Sequence, residues 1–94
     1  MLKVGDCVVV RSWESMVLEY GDEHGTICKG SHFIYSMRKY CKTIVTLDYF
    51  DEYENIYRIK EDGGRWCWDE YMFEKPQNSI RYLLHQKMED VVNV

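Results

Sequence analysis

Two imidazoles and two thiols, His24, Cys28, His32 and Cys41, sit in the first half of the chain and supply the donor set for tetrahedral zinc. Their separations of three, three and eight intervening residues fit no standard zinc spacing, and a Gly-rich, polar stretch would have to carry most of them. They read as ordinary loop positions, with no metal and no cofactor. The same three histidines and four cysteines could in principle form a Cys-His nucleophile pair, but nothing in the sequence places them together. The chain has no G-x-S-x-G, no P-loop and no H-E-x-x-H. The expectation is a protein that is not an enzyme.

Binding chemistry is more visible. Asp48, Tyr49, Phe50, Asp51, Glu52, Tyr53 and Glu54 interleave four acids with three aromatic rings. One reading is a solvated hairpin loop whose rings partly cover the core. The other is a protein-binding surface, in which Tyr and Phe give contact area and the acids steer a basic partner. A second cluster, Arg38, Lys39 and Lys42 beside Tyr35 and Tyr40, could touch nucleic acid by charge and stacking. Three cations in an acidic domain favour a solvated face instead.

The balance of charge points the same way. With 16 acids against 12 bases the formal net charge is −4, whereas general phosphate-backbone binding needs a basic stripe. Ninety-four residues, 46% of them hydrophobic, suffice for one domain with a packed core. No apolar run approaches the roughly 20 residues of a membrane span, and the first residues carry no signal-peptide core. A soluble, cytoplasmic protein is expected. Its cysteines, Cys7, Cys28, Cys41 and Cys67, are then reduced thiols packed as small apolar residues.

The elements that must position these groups follow from periodicity. Ile56 to Lys60 and Arg65 to Trp68 alternate residue by residue around Glu61-Asp62-Gly63-Gly64, the pattern of a β-hairpin whose turn needs positive φ. Period 2 puts Trp66 and Trp68 on one face, which reads as core. Cys7 to Arg11 reads as a first strand, buried on both faces at its centre. Thr43 to Leu47 reads as a second, rich in β-branched residues. Trp13, Met16, Val17 and Tyr20 fall at helical spacing, with Ser12 as N-cap and Gly21 as the stop. Residues 21–31 read as a loop, and Phe33, Met37 and Tyr40 as one face of a short helical turn. Asp69 to Phe73 reads as another such turn. After Lys75-Pro76 the apolar stripe Ile80, Leu83, Leu84, Met88 and Val91 marks a C-terminal helix that packs on the core or forms a homodimer contact.

Short strands, an irregular excursion between the first two and a final tight hairpin describe a mainly β chain: a small SH3-like barrel over residues 1–75 with short helical insertions, and a C-terminal α-helical extension over 76–94. Three stretches carry a resemblance: Val4-Gly5-Asp6-x-Val8-x-Val10-Arg11, then Phe33-x-x-x-Met37-x-x-Tyr40-x-Lys42-x-x-x-Thr46, then Tyr57-Arg58-Ile59-x-Glu61-Asp62-Gly63-Gly64-x-Trp66-x-Trp68-x-x-x-Met72-Phe73-Glu74. Over residues 3–75 the chain resembles the YorP-like group, small SH3-like proteins of Firmicute phages and prophages. Members of that group often have Gly where this chain has Cys41. The resemblance implies fold and phage origin and carries no activity with it.

The function expected from these readings is non-enzymatic protein binding. The partner would be a host protein with a basic surface, and a CRISPR effector blocked at its nucleic-acid channel is the sharpest case. A nucleic-acid-binding module working through Tyr35, Arg38, Lys39 and Lys42 is the alternative, and a zinc-binding protein a second one.

Overall fold

The computed structural model describes residues 2–75 of the chain, so the helical extension expected over 76–94, and any homodimer contact through it, lie outside the described residues. Within them the protein is mainly β. Strands β1 (Cys7–Val9), β2 (Ile44–Asp51) and β3 (Ile56–Ile59) form one antiparallel sheet in the order β1-β2-β3. Helix α1 (Trp13–Tyr20) and two 3-10 helices (Tyr35–Tyr40 and Glu70–Met72) complete the regular structure.

β1 forms where three consecutive valines favour extended backbone, and Val8, Val9 and Val10 are all buried, as expected of a strand covered on both faces. α1 follows at once. The Ser12 hydroxyl accepts the Ser15 N–H at 3.1 Å, satisfying one of the amides that a helix start leaves without a partner. Gly21, at φ 74°, ends the helix, donating its N–H to the Val17 carbonyl at 2.7 Å. Met16 is the residue of α1 that reaches the core, with Trp13, Val17 and Tyr20 packed around it.

β2 runs four residues beyond the end read from the sequence, through Asp48, Tyr49, Phe50 and Asp51. The cause is a β-bulge: Leu47 pairs with Ile59 but Tyr49 pairs with Arg58, which leaves Asp48 as the extra residue. Val45 and Leu47 face the core in strict alternation. The bulge then shifts the phase, so Tyr49 points out and Phe50 turns back in to meet Tyr57 at a ring separation of 4.8 Å.

The expected second arm of the hairpin, Arg65 to Trp68, is a bridge rather than a strand. Only Tyr57 and Trp68 exchange hydrogen bonds, at 2.7 and 2.8 Å. The reason lies in the turn. Asp62 Oδ1 accepts the N–H groups of Gly64 and Arg65, and Oδ2 accepts that of Trp66, so these amides serve the turn and cannot serve a ladder. Gly63 and Gly64 adopt φ of 67° and 76°, as the Asp-Gly-Gly sequence requires.

Past Trp68 the chain makes one 3-10 turn and reaches the opposite edge of the sheet. Phe73 bridges Val10, the Glu74 N–H donates to the Val9 carbonyl, and the Arg11 N–H donates to that of Met72. One short segment therefore touches both β3 and the strand region of β1. Its Trp68, fully buried, stands at the centre of the core between Phe33, Tyr40 and Phe73, at centroid distances of 6.0, 5.7 and 6.1 Å. Phe33 arrives there through a bridge to Ile27, not from the helical turn expected to hold it, and both residues are buried.

Two expectations about packing need correction. Trp66 is half-buried at the rim rather than in the core, because the Asp62 turn breaks the alternation that would have aligned it with Trp68. Cys7 and Cys28 are exposed and Cys41 and Cys67 half-buried, so the thiols are not core residues. None of the four is in a disulfide.

Candidate functional site

Two surfaces, an acidic turn and a set of cations seated on aromatic rings, lie near opposite ends of β2. At its C-terminal end the chain turns through residues 52–55. Asp51 Oδ1 accepts the N–H groups of Tyr53 and Glu54 at 2.9 and 3.2 Å, and the Asn55 N–H donates to the Asp51 carbonyl at 2.7 Å. Asn55 takes φ 58°, a conformation that its short polar side chain tolerates. A short turn held by three hydrogen bonds leaves Tyr53 completely exposed, at 101% of its reference area, between the exposed Glu52 and Glu54.

Of the seven residues read as a partner-binding loop, the structure thus divides the set. Asp48, Tyr49, Glu52, Tyr53 and Glu54 are exposed. Phe50 packs on the core and Asp51 serves the turn, so neither is a free contact residue. The segment is a strand end and a tight turn, not a loop projecting over its whole length.

The second surface gathers around the first 3-10 helix. The Arg38 guanidinium lies 4.3 Å from the centroid of the Trp13 ring and 5.3 Å from that of Tyr35. The Lys39 ammonium lies 5.3 Å from Tyr40 and 5.9 Å from Trp66, whose other near cation is Arg65 at 5.1 Å. Two of these cations come from neighbouring positions on one helical turn, and the aromatic rings come from α1, the 3-10 helix and the Asp62 turn. Tyr40 sits just before β2, its carbonyl accepting the Thr43 N–H and hydroxyl. An eight-residue strand separates this belt from the acidic turn, roughly 20 Å at the usual rise per residue.

Sequence reading found Tyr35, Arg38 and Lys39 but missed Trp13, Arg65 and Trp66. Periodicity puts Trp13 on a helix face and Trp66 in the core, and Arg65 stands far from the other cations in sequence. Lys42, counted in the cluster, is exposed at φ 63° in the turn into β2, apart from these ring contacts.

The metal reading finds no geometric support: no three His, Cys, Asp or Glu side chains among the described residues are placed to share an ion. His24, Cys28, His32 and Cys41 are thus not gathered. Partial desolvation, with the neighbouring Glu23, pushes the Cys28 thiol up. An open cleft at the end of α1, about 580 Å³, is lined by Tyr20, Asp22, Glu23, Cys28 and Lys29 among others. There the Arg11 guanidinium meets Glu19 at 2.8 Å, and its hydrogen bond lowers that carboxyl from its ordinary value.

No described helix is long and apolar enough to cross a membrane. Comparison of the chain with protein-family models, with curated proteins and with solved structures gives no match.

Proposed function

We propose that the chain is a non-enzymatic protein of phage or prophage origin, acting in the host cytoplasm by binding a basic surface on a host protein through its acidic turn. The observation that carries this reading is Tyr53. A fully exposed ring on a turn fixed by Asp51 is a pre-organised anchor, since the turn has already lost the entropy that binding would cost. Glu52 and Glu54 on either side, with Asp48 and Tyr49 on the adjoining strand, add charge that accelerates encounter with a cationic partner.

The finer fold belongs to the same proposal. A sheet whose two edges are both met by the segment from Trp68 to Glu74, through a single 3-10 turn, is the arrangement by which a small SH3-like barrel closes. The resemblance to YorP-like phage proteins read from residues 3–75 accords with that fold and with a phage origin. The nucleic-acid channel of a CRISPR effector is one basic surface of suitable charge.

The test compares wild type with the Glu52→Lys, Tyr53→Ala, Glu54→Lys variant as bait in host-cell extract. A protein retained by the first and lost by the second is then purified, and its association rate is measured across salt concentrations. Faster association at low salt for wild type alone supports the reading. Equal capture and equal rates overturn it.

A further inference from the structure

The cation–aromatic belt has no part in that reading, and its chemistry calls for a different ligand. Among the described residues the one ion pair is Arg11 with Glu19, so Arg38, Lys39 and Arg65 carry no carboxylate partner there. Each lies instead against an aromatic ring, within 4.3 to 5.9 Å of a centroid. A cation held this way stays desolvated on the ring side and open on the other, free to accept an anion. Glu61, whose carbonyl takes the Tyr40 hydroxyl, has its carboxylate engaged by the Thr46 N–H and hydroxyl at 2.9 and 3.1 Å. Glu14 is a carboxylate near the belt, since it and Arg38 both act on the Cys41 thiol. Asp62 accepts the backbone N–H of Arg65, so Glu14, Glu61 and Asp62 all border the three cations, and what marks the belt is cations seated on rings rather than a net positive charge.

The rings decide which anion. Tyr35 is 72% exposed, so its ring, with Arg38 to one side, still offers surface to a flat group. Trp66, half-buried with Lys39 and Arg65 over its ring, seats two of the cations. Alternating cations and aromatic faces match a strand that alternates phosphates and bases; an acidic peptide would use the charges and leave the faces idle. We propose that this belt is a docking platform for a short single strand of nucleic acid, phosphates on Arg38, Lys39 and Arg65 and a base on Tyr35. Duplex does not fit, because its bases are already stacked on each other.

The probe is a labelled oligothymidylate of about 15 nucleotides, titrated at about 50 mM salt, since such contacts weaken steeply as salt rises. Binding is expected, weaker for a duplex of equal length, with a log–log salt slope lowered in magnitude by about 2 in the Arg38→Gln, Lys39→Gln, Arg65→Gln variant. Tyr35→Ala should weaken binding about tenfold and Tyr35→Phe should restore it, because stacking uses the ring and not the hydroxyl. Tyr35 is exposed, so both variants remain folded, which circular dichroism checks. No binding of the oligonucleotide overturns the proposal. So does equal competition by polyglutamate, which would reduce the belt to a general anion site, or an unaltered affinity in Tyr35→Ala. Glu52→Lys, Glu54→Lys should not weaken oligonucleotide binding, so failure here and failure of the acidic-turn reading are separate results.

Discussion

The Asp62 carboxylate accepts the indole N–H of Trp68 at 2.8 Å while the same side chain accepts three backbone amides of the turn between them. The central ring of the core and the turn that leads to it are thus fixed by one acid. Trp68 is fully buried, and its nitrogen would be costly to leave unpaired there.

Asp62→Ala should therefore destabilise the protein by about 3 kcal/mol, since bonds to a charged group contribute roughly 1.5–3 kcal/mol and their donors would be orphaned. Asp62→Asn, which keeps the shape and loses the charge, should cost less. Urea denaturation of the two variants checks the order. A midpoint unchanged in Asp62→Ala would mean that water replaces the carboxylate without penalty.

The two tryptophans should separate cleanly. Trp68→Ala should lose about 3–5 kcal/mol and leave so small a domain largely unfolded. Trp66→Ala, at the rim, should lose about 1 kcal/mol, mostly its ring contacts with Tyr40, Lys39 and Arg65. Thermal melts followed by far-UV circular dichroism distinguish them, and equal losses would place both rings in the core.

Glu52→Lys with Glu54→Lys should leave stability within about 0.5 kcal/mol of wild type, since neither side chain holds the turn. Asp51→Lys should cost about 1 kcal/mol, because the amides of Tyr53 and Glu54 lose their acceptor. A charge-reversal experiment that includes Asp51 would confuse folding with binding. Chemical denaturation of each variant settles the assignment.

Alkaline pH should unfold the protein. Burial, with help from Asp69, pushes the Tyr71 phenol well above the ordinary tyrosine range, and burial raises Tyr57 too. A raised folded-state pKa contributes stability that is complete below the unfolded value, near 10, and is lost as pH climbs above it. The melting temperature should fall from about pH 10 upward. Tyr71→Phe should flatten that fall, while losing the hydroxyl's 2.7 Å bond to the Ser31 carbonyl at neutral pH. An identical alkaline profile in Tyr71→Phe would assign the transition to Tyr57 or to lysines.

Much of the frame was legible. Ser12, the apolar spacing of α1 and Gly21 mark that helix at Trp13–Tyr20, and the valine run marks β1 to within two residues of its end, because local propensity and burial agree there. The end of β2 was hidden because a bulge at Asp48 breaks period 2, making a continuous strand look like a loop of acids and rings. Trp66 was misplaced for the converse reason: alternation persists in the sequence where Asp62 has already removed the amides that a strand needs. The belt was legible only in part, since Arg38 meets Trp13 and Lys39 meets Trp66 through tertiary packing that no spacing announces.

The bridges from Trp68 to Tyr57 and from Phe73 to Val10 join the last described residues to both edges of the sheet. A chain emerging from the ribosome can form α1, and can pair β1, β2 and β3, while these two edges still lack their partners. Pairing between residues from opposite ends must wait for loop closure over nearly the whole domain, so folding is expected in milliseconds to seconds, not microseconds. During synthesis the Trp68 pocket stays open until the final strand-like residues are released. In that interval Phe33, Tyr40 and the bare edge of β3 are the surfaces that a chaperone, or a second nascent chain, would meet first.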